Sequence, residues 1–307
     1  MSHRRILFLF LVGIGVGSPW LVRDWLEVRS GERRSRTASR EARVATADRE
    51  FPAFAQRTRR LFEGLFVGDS SGAGLGSLLS GRDEPAATPR SMAIVEEATA
   101  RLAPSLAAAG LRAGDPVVLR LFKEERELEI WMKPAQESLY VLFKIHRLSA
   151  VAGGPGPKLR EGDGQAPEGF YAVSRRGLRP ETRHHLGLDF GFPNDLDQAK
   201  GRGGSEVWIH GGGSAAAGGY ALAPAAMDEV YALVDAALRK GTASVPTHLF
   251  PFRLTDRRMD EVVKERSRWT DHWVQLKEGF DFFDNVRLPP AIDLAEGRPR
   301  FEIARRD

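Results

Sequence analysis

The 307-residue sequence contains no cysteine. That excludes disulfides, thiolate zinc centres, lipoprotein attachment and every mechanism built on a cysteine nucleophile. No H-x-x-x-H or H-E-x-x-H spacing occurs either. His146, His210 and His248 are far apart, and His184 and His185 are adjacent, which on a strand would turn them to opposite faces, so no metal site is expected. There is no P-loop lysine-serine pair and no G-x-G-x-x-G at a strand–helix junction. The glycine-rich "GGPGPK" has no helix behind it to receive a phosphate, so no cofactor is expected. A formal charge of +4 is too small to argue for a nucleic-acid partner.

Long apolar runs are scarce as well. The exception, Ile6 to Val22, follows Arg4 and Arg5 directly. At about 17 residues it stands at the lower limit for crossing a bilayer, and a basic pair before so apolar a run fits export better than a buried helix at the chain start. Small residues from Gly15 to Ser18 resemble a cleavage site, although Pro19 close behind discourages cleavage there. Residues 1–22 are therefore expected to be a membrane anchor or signal helix, with the membrane as a partner through this segment. The expected location is the cell envelope, either anchored in the inner membrane facing the periplasm or exported.

What is present is the composition of a globular protein: 42% hydrophobic and 28% charged residues, in a chain long enough for a sizeable core. Residues 23–89 are expected to be an Arg-rich and Gly/Ser-rich linker with one short helix, whose arginine-dominated part, 23–60, suits either anionic headgroups or a solvated spacer. The spacing predicts a helix over "SMAIVEEATARLAPSLAAAGL", interrupted or kinked at Pro104. From Asp115 the texture turns to strands. "PVVLRLFKEERELEIWMK" reads as a hairpin, and "SLYVLFKIHRL", "FYAV", "HHLGLDF", "SEVWIHG" and "VPTHLFPF" as further strands, the last of them final. "AAMDEVYALVDAALRKG" reads as a helix stopped by Gly241. Trp269, Trp273, Leu276, Phe280 and Phe283 recur at helical intervals and predict an amphipathic helix packed on the domain.

One stretch invites a functional reading. In "EVWIHGGGSAAAGGYALAP" an apolar run ends on His210, followed by a Gly/Ser/Ala loop and Tyr220. A histidine at the mouth of such a loop suits a general base beside a nucleophile. "GDSSG" (Gly68 to Gly72) and "HGGG" (His210 to Gly213) together resemble serine-hydrolase signatures, but the oxyanion loop should precede the nucleophile elbow, and here it follows.

Several blocks taken in order carry a clearer signal: "VLRLFKEERELEIWMK", "GPGPKLREGDGQAPEGFYAVS", "GFPNDLDQAKGR", "IHGGGSAAAGGYAL", "HLFPFRLT" and "WVQLKEGFDFF". Over about residues 90 to 290 the chain resembles the YafK-like branch of the L,D-transpeptidase (YkuD-type) family of cell-wall enzymes. The resemblance implies a β-rich catalytic domain with a few helices, acting on the peptide stems of peptidoglycan. In that chemistry a cysteine thiolate forms an acyl-enzyme, which an amine or water resolves. The family loop begins with histidine and glycine, matched by His210 and Gly211, and ends with an aromatic, matched by Tyr220. Counted forward, the cysteine falls on Gly218; counted back, on Gly219. No sulfur is present at either position.

The expectation is an α+β fold: a β-rich L,D-transpeptidase-like domain over 90–255, with a Trp/Phe-rich helical extension over 256–307. His210 would hold the general-base position, Gly218 or Gly219 the place of the missing nucleophile, and Ser214 a substitute hydroxyl. Lys158, Arg160, Arg202, Gly211 and Tyr220 would face stem-peptide substrate. The leading reading is a pseudoenzyme that binds peptidoglycan stem peptides. The alternatives are a peptide hydrolase or transferase working through His210-activated water or Ser214, and a membrane-tethered envelope scaffold.

Overall fold

The computed structural model describes residues 87–212, 218–295 and 298–303. The expected N-terminal anchor, the linker up to residue 86 and loop residues 213–217, Ser214 among them, lie outside the described residues. The architecture is α+β, with one nine-stranded mixed sheet flanked by helices and a separate hairpin.

In chain order the sheet strands are β1 (Val117–Phe122), β2 (Glu127–Met132), β3 (Val141–Val151), β4 (Gly169–Ser174), β5 (Leu178–Thr182), β6 (His185–Asp189), β7 (Trp208–Gly211), β8 (Tyr220–Leu222) and β9 (Ser244–Phe250). They are laid out as β4-β9-β1-β2-β3-β8-β7-β6-β5. The β1–β9 and β7–β8 pairs are parallel, and the other pairs antiparallel. The long β3 serves both halves of the sheet: Val141 to Arg147 pair with β2, and Leu148 to Val151 with β8.

Strand β1 is buried at every position because both faces are covered. Val117, Leu119 and Leu121 enter the main core with Val245 and Leu249 of β9, while Phe122 and Phe250 enter a second, aromatic cluster. Arg120 alternates onto this aromatic side. Its guanidinium carbon lies 4.7 Å from the ring centres of both Phe280 and Phe283, and Nη1 meets Asp284 at 2.7 Å. A cation enclosed by ring faces and tied to a carboxylate explains how a basic residue occupies a buried strand.

Helix α1 (Pro89–Ala108) starts with a capping box between Thr88 and Ser91 and with Pro89 at the first helical position, where its missing N–H costs nothing. Ala98, Leu102 and Leu106 recur on one buried face. Pro104 does not end the helix. It stands on the exposed side, where the helical hydrogen bond its nitrogen cannot donate is lost next to solvent. The short α2 (Asp195–Ala199) is capped by Asn194, and α3 (Pro224–Arg239) lies between α1 and the sheet, buried on most of its circumference.

Helices α4 (Asp256–Lys264) and α5 (Thr270–Val286) cover the opposite, aromatic side. Trp273, Leu276 and Phe280 of α5 pack with Phe122, Phe250, Phe252 and Leu254. Strand β9 is not the last strand: β10 (Pro290–Ala295) and β11 (Arg298–Ile303) form a two-stranded hairpin beyond α5. Prolines at 290 and 299 and interspersed charges hide its alternation from a pattern reading.

Candidate functional site

His210 sits near the C-terminal end of β7, where Ile209 pairs with Leu188 of β6 on one side and with Tyr220 of β8 on the other. The parallel β7–β8 pair brings both ends of the glycine loop together, with His210 opposite Ala221 and Gly211 opposite Leu222. His210 is 5% exposed, and its Nδ1 has no hydrogen-bond partner among the described residues. Its ring lies tilted against that of His184, with centroids 4.7 Å apart and planes at 32°. Burial holds His210 below the usual imidazole range. The charges of His184 and Arg183 act in the same sense, and the backbone of Gly212 and Gly211 opposes them. A neutral imidazole with a free nitrogen can accept a proton.

The two candidate nucleophile positions differ sharply. A Cβ on Gly219 would run into the carbonyl oxygen of Trp208 on the adjacent strand, so no side chain fits there. A Cβ on Gly218 would make only ordinary van der Waals contacts, with Lys158 Nζ 3.6 Å, Val207 Cγ2 3.8 Å and the Gln165 carbonyl 3.9 Å away. Its φ of +99°, however, is one that side-chain-bearing residues rarely adopt. Gly211 is closed in as well, because its Cβ position lies 2.9 Å from Met227 Cβ and 3.0 Å from His185 Cδ2.

Facing Gly218 is the long loop between β3 and β4, held from within by two buried lysines. Lys123, from the β1–β2 turn, donates to the carbonyls of Gly154 (3.2 Å), Gly156 (2.8 Å) and Ala166 (2.6 Å). It also pairs with Glu168 at 3.0 Å. Glu168 in turn accepts from the Gly156 amide (2.6 Å) and from Trp273 Nε1 (2.9 Å), which ties the loop to α5. Lys158 is buried too and pairs with Asp163 at 2.8 Å. Burial pushes the Asp163 carboxyl up, but hydrogen bonds from Lys158 and from the amides of Leu159, Arg160 and Gln165 outweigh it and hold the pKa at about 2. Ser205 caps the arrangement by donating through its amide (2.6 Å) and hydroxyl (3.1 Å) to Glu161.

No family model matches the chain. Over 185 residues it is 39% identical to the Escherichia coli K12 protein named "Putative L,D-transpeptidase YafK", a match covering 60% of this chain and 73% of that protein. The chain belongs to the L,D-transpeptidase family. The Escherichia coli O157:H7 protein of the same name matches to the same extent. Solved structures give looser matches. The helical cell shape determining protein Pgp2 from Campylobacter jejuni is 14% identical, with a TM-score of 0.36 over 63% of this chain and 80% of Pgp2. Bd1075 from Bdellovibrio bacteriovorus is 18% identical, with a TM-score of 0.33 over 56% and 62%.

Within this L,D-transpeptidase-family cell-wall protein the expected site residues fall into groups. His210, Gly211 and Gly218 line the two ends of the loop. Lys158 stands behind Gly218 but spends its charge on Asp163. Tyr220 is fully buried, and its hydroxyl donates to the Pro167 carbonyl at 2.7 Å, so it fastens β8 to the β3–β4 loop. Arg160 is exposed on that loop. The Arg202 guanidinium meets Asp197 at 3.3 Å, and Asp197 also accepts from Tyr171 Oη at 2.8 Å. Pattern reasoning passed over His184, Lys123, Asp163 and Glu168. The available signal for Glu168 was its place directly before β4 in "GPGPKLREGDGQAPEGFYAVS".

Proposed function

We propose that this protein is a peptidoglycan-directed member of the L,D-transpeptidase family that binds stem peptides in the groove around His210 without forming an acyl-enzyme. The observation that carries this reading is the pair Gly218 and Gly219: neither supplies a nucleophile, and Gly219 is closed to any side chain by the Trp208 carbonyl. The chain holds no cysteine that could substitute. Attack on an amide needs an oriented, deprotonated nucleophile, and glycine offers only hydrogen. We place the protein in the cell envelope, anchored through residues 1–22 or exported, with residues 90–255 as the family domain and 256–307 as its helical extension.

A second reading has one observation in its favour. His210 is a buried imidazole whose Nδ1 has no hydrogen-bond partner among the described residues, which suits a base that activates water for hydrolysis of a stem-peptide bond. Incubation with purified muropeptides, followed by mass spectrometry, separates the two, with His210→Ala as control. Saturable binding with no new product is the expected result. Product formation that His210→Ala abolishes would replace the binding reading with the hydrolytic one, and absence of both binding and turnover would remove peptidoglycan stem peptides as the ligand.

A further inference from the structure

We propose that His184 is a positioning residue for His210, and that the Thr182–His185 turn is built to hold its ring against the base. The inference rests on reading His210 as the base position of the site.

Two consecutive histidines of one turn reach two consecutive residues of β7. His184 lies tilted against the His210 ring, while the His185 ring lies over Gly211, with Cδ2 3.0 Å from the glycine's Cβ position. On an ordinary strand they would point apart. Here His185 takes a left-handed backbone, φ +76°, which costs a non-glycine residue about 1 kcal/mol. That strain persists because the turn is over-determined. Thr182 Oγ1 accepts the His184 amide at 2.9 Å and donates to the His185 carbonyl at 3.0 Å. His185 Nε2 meets Asp228 of α3 at 2.5 Å, and Arg90 of α1 reaches His185 Nδ1 at 3.2 Å.

The His184 ring is oriented as well as placed. Arg183 Nε donates to His184 Nε2 at 3.0 Å. A guanidinium can only donate, so His184 Nε2 accepts in this contact. His210 is therefore faced by the His184 ring with a guanidinium behind it. Burial first, and then the charges of His184 and Arg183, disfavour a positive charge on His210, and the backbone of Gly211 and Gly212 acts the other way. None of these contacts involves the Gly218–Gly219 corner, so the device survives whether or not a nucleophile is present.

The test follows the His210 titration in the full-length chain by NMR of 13Cε1-labelled histidine, with His210→Gln to assign the signal. In the wild type His210 should titrate below 6.5. In His184→Ala its midpoint should rise by about half a pH unit or more, roughly threefold in the ionisation constant. Arg183→Gln, which leaves the ring contact in place, should raise it by a smaller amount. A midpoint unmoved in Arg183→Gln and in folded His184→Ala would overturn the proposal, and if His184→Ala fails to fold, Arg183→Gln alone decides. The titration needs no ligand. Failed muropeptide binding would sink the functional reading while leaving this one intact, and an unmoved titration would sink this one even where muropeptides bind.

Discussion

The Trp208 carbonyl occupies the space that a side chain on Gly219 would need, whereas the same vector on Gly218 opens toward Lys158. The two glycines are thus unequal, and cysteine should be tolerated differently at each. Gly219→Cys should lose stability toward the upper end of the about 1–3 kcal/mol typical of overpacking, because the clash is with backbone. Gly218→Cys should lose only about 1–2 kcal/mol, from its positive φ. Urea unfolding of both variants checks this, and equal losses would refute it.

The Lys123–Glu168 pair is buried on both sides, so removing one partner strands the other. Lys123→Met or Glu168→Gln alone should cost about 3–5 kcal/mol. The double variant should cost clearly less than the sum of the two. A double-mutant cycle on unfolding free energies measures the coupling, and strict additivity would show that the pair does not act as a unit.

His248 is fully enclosed by ring neighbours, among them Phe170 at 4.9 Å and Phe283 at 5.8 Å. Burial, and then the charge of Arg120, pushes its pKa down to about 3. An unfolded imidazole takes up its proton near 6.5, so the unfolded state holds the extra proton between those values. This contribution is fully present above about 6.5 and is lost as pH falls toward 3, at about 1.4 kcal/mol per pH unit. His248→Phe keeps the ring packing and should remove that part of the slope. Urea midpoints at pH 7 and 4.5 should differ less in the variant than in the wild type.

Asp163 works at lower pH. Its folded value of about 2 lies below the ordinary carboxylate value near 3.9, so the stability it contributes is present above about pH 4 and is lost as pH falls through 2. Asp163→Asn should weaken the fold at pH 6 and flatten its loss between pH 4 and 2. An acid-unfolding curve that coincides with the wild type below pH 4 would exclude this role.

The elements legible from sequence were those with a strong period or clear punctuation. The "PVVLRLFKEERELEIWMK" hairpin is β1 and β2, and the Pro224 to Gly241 stretch is α3. Strands β5 and β8 were missed because "LRPET" and "YAL" are too short or too polar to show a period, and they exist through their neighbours in the sheet. At the site, His210 was legible because it ends an apolar strand before a glycine loop. The contact of His184 with His210 was not legible, because alternation describes a strand and His184 lies in a turn, where Thr182 and a left-handed His185 redirect both rings. In sequence Lys123 looks like a solvated charge and Lys158 like a substrate contact. Only the fold shows that each is enclosed and what it holds.

Lys123 holds the β3–β4 loop through three main-chain carbonyls. A carbonyl is supplied by every residue type, so this constraint acts on the path of the chain and is blind to most of the letters along it. The loop can therefore drift in sequence between relatives while keeping its shape, provided its length and its turns at Gly153 and Gly156 persist. Insertions there should be selected against more strongly than substitutions, and residue-by-residue comparison will undervalue the segment that walls in Gly218.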